Sequence, residues 1–132
     1  MVKTVLIVDD SATMRRMIMA SLRGIPALRF DEASTGLEAI ERLALNPADV
    51  MILDLNMPDM HGLETLQFLR GHRRYKDLPV IVLTTRGDEV SRSEAMAAGA
   101  SLYMTKPFQP HELAENVRRF LASEPTTRDD HQ

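Results

Sequence analysis

The sequence contains no cysteine, so neither a disulfide nor a thiolate metal site can contribute to its structure or chemistry. It carries no excess of one charge. The formal net charge is -3, with basic residues scattered among acidic ones, and such a balance leaves no electrostatic footprint for nucleic acid. No apolar run approaches the length of a membrane span. The start, Met1 to Thr4, leads directly into a strand-like run and lacks the charged, apolar and small-residue regions of a signal peptide. The histidines, His61, His72, His111 and His131, do not fall at metal-ligand spacing and read as surface or loop residues. The expectation from these absences is a cytoplasmic protein without membrane insertion or direct nucleic-acid binding. A length of 132 residues suits one compact domain with room for a core.

Five short apolar runs are present: "TVLIV" (4–8), "LRFDEA" (28–33), "DVMILDL" (49–55), "PVIVLTT" (79–85) and "SLYMT" (101–105). The first, third and fourth are continuously apolar, as central parallel strands covered on both faces should be. The second is more polar and reads as an edge strand. Helical spacing fills the intervals. Met14, Met17, Ile18 and Leu22 recur at three and four, as do Leu113, Val117, Phe120 and Leu121, and Leu63, Leu66 and Leu69 mark a third helix. Thr35 with Glu38 predicts a capping box, Pro110 suits a first helical turn, and Gly99 suits the end of an Ala-rich helix over about 88–98. Strand and helix alternate five times, which calls for a parallel sheet with helices on both faces. "SEPTTRDDHQ" (123–132) lacks apolar periodicity and is expected to be a disordered tail following a domain over 1–122.

In a doubly wound sheet, ligands bind beyond the carboxyl ends of the strands. Asp9 and Asp10 end the first strand and Asp54 ends the third. Converging carboxylates repel and raise one another's pKa unless a cation joins them. Oxygen ligands without His or Cys favour a hard cation such as Mg²⁺. Taken alone, "DD" reads more simply as a solvated turn and helix cap. Thr84 and Lys106, at the ends of the fourth and fifth runs, make that simpler reading harder to hold. A carboxylate beside Mg²⁺ can attack phosphorus and become an acyl phosphate, with Lys106 and the Thr84 hydroxyl holding the other phosphoryl oxygens.

With these residues in place, the chain resembles a bacterial two-component response-regulator receiver domain, especially the single-domain chemotaxis type. "VDDSATMRRMI", "DLNMPDMHGLE", "LTT", "AAGA" and "YMTKPF" fall in family order over about residues 3–122. The resemblance implies a flavodoxin-like (βα)5 fold with strand order 2-1-3-4-5, an order the family shares with a known example of that winding. It implies that Asp54 is the phosphoacceptor. Asp10 and Asp54 would bind Mg²⁺ directly, Asp9 through water, and Asn56 through its main-chain carbonyl. Lys106 would pair with the phosphoryl group, and the Lys106–Pro107 bond would be cis. Thr84 and Tyr103 would form a switch pair, with Tyr103 turning inward on phosphorylation and changing a surface that includes Val90, Ala98 and Glu112. The implied partners are a sensor histidine kinase as phosphodonor and a downstream protein target, the chain itself being a monomer or weak dimer. Thr85 stands where the family usually has a smaller residue, which implies tighter access to the phosphoryl group, and Arg86 and Asn56 sit at positions that vary in the family and tune dephosphorylation. Met14, Met17, Met19 and Met51 read as packing residues.

The reading is of a switch that catalyses its own phosphoryl transfer and slow hydrolysis, not of an enzyme turning over a metabolite. An Mg²⁺-dependent phosphatase or phosphotransferase is the alternative. The haloacid-dehalogenase pattern D-x-D-x-T is not supplied by "DDSAT", and no cap domain is evident. A flavodoxin-like cofactor binder would place an acid pair against the FMN phosphate, which it would repel. A purely structural interaction domain has no use for the five site residues together.

Overall fold

The computed structural model describes residues 1–56 and 62–122. The expected tail over 123–132, together with His61 and His131, lies outside the described residues. Five strands and five helices alternate along the chain: β1 (Lys3–Val8), α1 (Ala12–Ser21), β2 (Leu28–Ala33), α2 (Gly36–Leu45), β3 (Val50–Leu53), α3 (Gly62–Arg70), β4 (Val80–Thr84), α4 (Glu89–Ala98), β5 (Leu102–Thr105) and α5 (Pro110–Ala122). All strand pairings are parallel and the sheet order is β2-β1-β3-β4-β5. The five runs therefore became strands: 4–8 gains Lys3, 28–33 keeps its bounds, and 49–55, 79–85 and 101–105 are trimmed at their ends.

Side chains alternate between the two faces of each strand, so each central strand feeds two cores. Val5, Ile7, Ile52 and Ile81 pack with Ile18 of α1 and Leu113 and Val117 of α5. Leu6, Val8, Met51 and Val82 pack with Leu43 of α2 and Leu66 and Leu69 of α3 on the other face. Double coverage explains why Val5–Val8 of β1, all of β3 and Val80–Leu83 of β4 are apolar and buried, whereas β2, at an edge, keeps exposed and half-buried polar residues.

The helix ends follow their capping residues with one adjustment. Thr35 Oγ1 accepts the Glu38 N–H at 3.0 Å, but the Glu38 carboxylate reaches back to Ser34, one residue before the cap, taking its N–H at 2.7 Å. Gly99 ends α4 with φ +113°, a conformation that favours glycine, and its carbonyl accepts Arg70 Nε–H at 2.9 Å. The expectation of packing holds for Met51, which is fully buried, and for Met14 and Met19, which lie partly buried against the core. It fails for Met17, which is 51% exposed. Met17 precedes Ile18 by one residue, about 100° around the helix, and that turn carries it off the core-facing stripe.

Candidate functional site

The sheet order puts β1 between β2 and β3, so their carboxyl ends open together. The Asp9 N–H donates to the Ala33 carbonyl at 3.1 Å, and the Asp54 N–H donates to the Val8 carbonyl at 3.0 Å. These rungs carry the ladder one step past β1 and β3 and set both aspartates side by side. Asp9 and Asp54 are buried, 2% and 5% exposed, and Asp10 faces solvent. One oxygen from each of the three carboxylates lies within 4.8 Å of the others.

The capping role weighed for the "DD" pair belongs instead to Ser11. Its Oγ accepts the Met14 N–H at 3.1 Å, which leaves neither aspartate as the cap of α1. Asp9 has other partners: Oδ1 accepts the Ser11 N–H at 2.9 Å and Oδ2 accepts Lys106 Nζ at 2.8 Å. Lys106 also lies 3.5 Å from Asp54 Oδ2. The amine arrives from β5, past Thr105, and the Lys106–Pro107 bond that follows is cis. Asp54 Oδ1 accepts the Asn56 N–H at 3.2 Å.

Three carboxylates against one ammonium leave a negative site. Burial pushes the Asp54 carboxyl above its ordinary value and the Asp9 charge adds to this, while the Asn56 N–H and Lys106 pull it down. A buried acid whose charged form is disfavoured, beside two more acids, has the all-oxygen donor set of a hard divalent cation. The donor chemistry fits Mg²⁺.

Thr84 is fully buried at the end of β4, and its Oγ1 accepts the Arg86 N–H at 3.4 Å. The Tyr103 ring lies inward. It is 6% exposed, its hydroxyl donates to the Arg86 carbonyl, and the Arg92 guanidinium covers the ring at 5.7 Å. Burial, followed by the Asp88 charge, raises its phenol pKa. One short loop, through Arg86, thus contacts both Thr84 and Tyr103. Asn56, Thr85 and Arg86 are exposed.

The response regulator receiver domain model matches residues 5–118. The chain belongs to the response regulator receiver family. Among relatives of this receiver domain, chemotaxis protein CheY1 of Helicobacter pylori is 40% identical over 119 residues, which cover 89% of this chain and 96% of the relative. A chemotaxis protein CheY homolog of Campylobacter jejuni is likewise 40% identical, covering 89% of this chain and 92% of that one. The solved structure of chemotaxis response regulator CheY4 of Vibrio cholerae superposes with a TM-score of 0.83 at 34% identity, covering 92% of this chain and all of that one. This receiver domain is therefore a CheY-like signalling module of the two-component type, with the doubly wound fold of its relatives.

Two further contributors to the site went unread in the sequence. Arg15 donates to the Asp9 carbonyl, and Gly62 lies against the Asp54–Leu55 backbone. A cation near the start of α1, where the helix dipole disfavours it, was the only hint of the first.

Proposed function

We propose that this receiver domain accepts a phosphoryl group on Asp54 from a sensor histidine kinase, with Mg²⁺ bound, and reports it through the α4–β5–α5 surface to a downstream protein. The observation that carries the reading is the convergence of Asp9, Asp10 and Asp54 within 4.8 Å, with Lys106 Nζ 2.8 Å from Asp9 and 3.5 Å from Asp54. Asp10, Asp54 and the Asn56 carbonyl would hold the metal directly and Asp9 through water. When bound, Mg²⁺ neutralises the carboxylates and offsets charge on the transferring group.

The chain's own residues do the rest. An Asp54 carboxylate oxygen attacks phosphorus, a P–O bond forms, and the P–N bond of the donor phosphohistidine breaks with its electron pair leaving on the imidazole. Asn56 N–H holds Asp54 Oδ1, which restrains the rotation of the nucleophile. Lys106 stands beside Oδ2, so a phosphoryl group joined there has the ammonium next to its oxygens. The Thr84 hydroxyl is the second donor to that group. Asn56 and Arg86, exposed at the rim, are placed to tune how readily water reaches the acyl phosphate.

For signalling, Thr84 and Tyr103 form the switch pair. Tyr103 is already inward, so phosphorylation would act by holding a conformation the protein samples beforehand, a population shift and not the creation of a new state. Val90 is exposed on α4 and Glu112 on α5, flanking the buried Tyr103 and half-buried Ala98. The relatives' names point to chemotaxis as the pathway, and the place of action in this reading is the cytoplasm. Incubation with acetyl phosphate, with and without Mg²⁺, followed by intact mass tests the reading. One added phosphoryl group that requires Mg²⁺ is the expected result. No mass gain, or a gain indifferent to Mg²⁺, would overturn it.

A further inference from the structure

In an extended residue the N–H and C=O point to the same side, so the Asp9 carbonyl faces β2 as its N–H does. The next rung would come from β2, but that strand ends at Ala33 and the chain turns into Thr35, the N-cap of α2. A side chain supplies the rung. Arg15 on α1 donates Nη1–H to the Asp9 carbonyl at 2.6 Å, and its Nε–H donates to Glu32 Oε1 at 2.8 Å. The guanidinium thereby joins α1, the end of β1 and β2 beside the carboxylate cluster.

Neither the helix nor the ion pair accounts for this placement. A cation near a helix N-terminus opposes the dipole, and a pair with a half-exposed glutamate contributes little. A planar fork of fixed donors does account for it, because two acceptors at a set spacing are held at once. The acceptor that matters is the peptide joining Asp9 to Asp10. Its rotation would swing the exposed Asp10 carboxylate away from Asp9 and Asp54.

We propose that Arg15 is a positioning residue for the metal site: it fixes the Asp9–Asp10 peptide so that the Asp10 carboxylate is presented to the cation. The inference rests on the Mg²⁺ reading given above. Geometry and charge here predict opposite signs. A nearby guanidinium repels a divalent cation, so a residue that only braced the fold would, when neutralised, leave Mg²⁺ affinity unchanged or improved. A positioning residue would weaken it.

Mg²⁺ titration by calorimetry, repeated with Mn²⁺ counted by electron paramagnetic resonance, on wild type, Arg15→Met and Arg15→Lys decides between them. Thermal unfolding of each protein gives the fold control. Arg15→Met is expected to weaken Mg²⁺ about tenfold, in the range for loss of a group that orients a metal ligand. Arg15→Lys keeps the charge and can reach one acceptor, so its affinity should fall between the two. If Arg15→Met does not fold, Arg15→Lys decides alone, since any weakening with charge retained reports geometry. Affinity equal to or tighter than wild type in the folded variants would overturn the inference. Absence of Mg²⁺ uptake by wild type would overturn the metal reading itself, and this inference with it.

Discussion

A single methyl group at Gly62 should damage phosphorylation out of proportion to stability. Gly62 opens α3 and donates its N–H to the Leu55 carbonyl at 3.2 Å. A Cβ there would lie 2.5 Å from Leu55 Cα and 2.6 Å from the Asp54 carbonyl oxygen. Both obstacles are backbone, so no side-chain rotation relieves the contact. Ordinary contact begins at 3.4 Å, so about 0.9 Å must be gained by moving the Asp54–Leu55 peptide or the start of α3. Overpacking of this kind costs about 1–3 kcal/mol, and the better helix propensity of alanine offsets up to about 1 kcal/mol. The net loss is then about 0–3 kcal/mol, and each 1 kcal/mol lowers Tm by roughly 4 °C for a domain of this size. The displaced peptide carries the nucleophile, and misplacement by about 1 Å can slow a reaction about a hundredfold. Acetyl phosphate uptake by Gly62→Ala, timed on Phos-tag gels beside its melting curve, reads both effects. Gly24→Ala is the control, because a Cβ there meets nothing within 4 Å. A Gly62→Ala protein with wild-type Tm and wild-type uptake would refute the reasoning.

Three other perturbations have signed outcomes. Without metal, the raised Asp54 pKa contributes stability that is fully present below the ordinary value of 3.8 and lost as pH rises through the raised folded value. Asp54→Asn should therefore be the more stable protein at neutral pH without Mg²⁺ and lack that pH dependence, as urea unfolding over a pH series would show; equal curves would contradict this. Asp10→Ala should weaken Mg²⁺ binding more than Lys106→Ala, which removes a competing cation and should leave affinity equal or tighter; a calorimetric titration with the reverse order would refute the ligand assignment. Tyr103→Phe removes the hydroxyl that donates to the Arg86 carbonyl and should cost about 1 kcal/mol in urea unfolding. No loss there would mean that the bond does not hold the ring in place.

Much of this was legible because burial on two faces leaves a strong mark on sequence. "TVLIV" and "VMIL" read as central strands, and acids at their ends then lie on the same, carboxyl-end side of a parallel sheet. The meeting of Asp9, Asp10 and Asp54 is a consequence of strand order, which the family resemblance supplied. What escaped notice depends on single contacts with no period. Ser11 caps α1 where the "DD" pair had been weighed as a cap, and Lys106 sits nearer Asp9 than Asp54. Met17 kept helical spacing yet sits one step off the buried stripe. The inward Tyr103 reflects a hydroxyl partner on another strand's loop, and no local pattern encodes such a partner. Arg15 and Gly62 act on main-chain atoms of the site, whose positions are set only by the folded chain.

Of three adjacent carboxylates, Asp54 alone is proposed to become the acyl phosphate. Borohydride reduces an aspartyl phosphate to homoserine, which marks the residue covalently. After acetyl phosphate and Mg²⁺, reduction, proteolysis and peptide sequencing by mass spectrometry should place homoserine at position 54, with positions 9 and 10 unmodified and the Asp54→Asn protein unmarked. Homoserine at position 9 or 10, or a marked Asp54→Asn protein, would contradict the account.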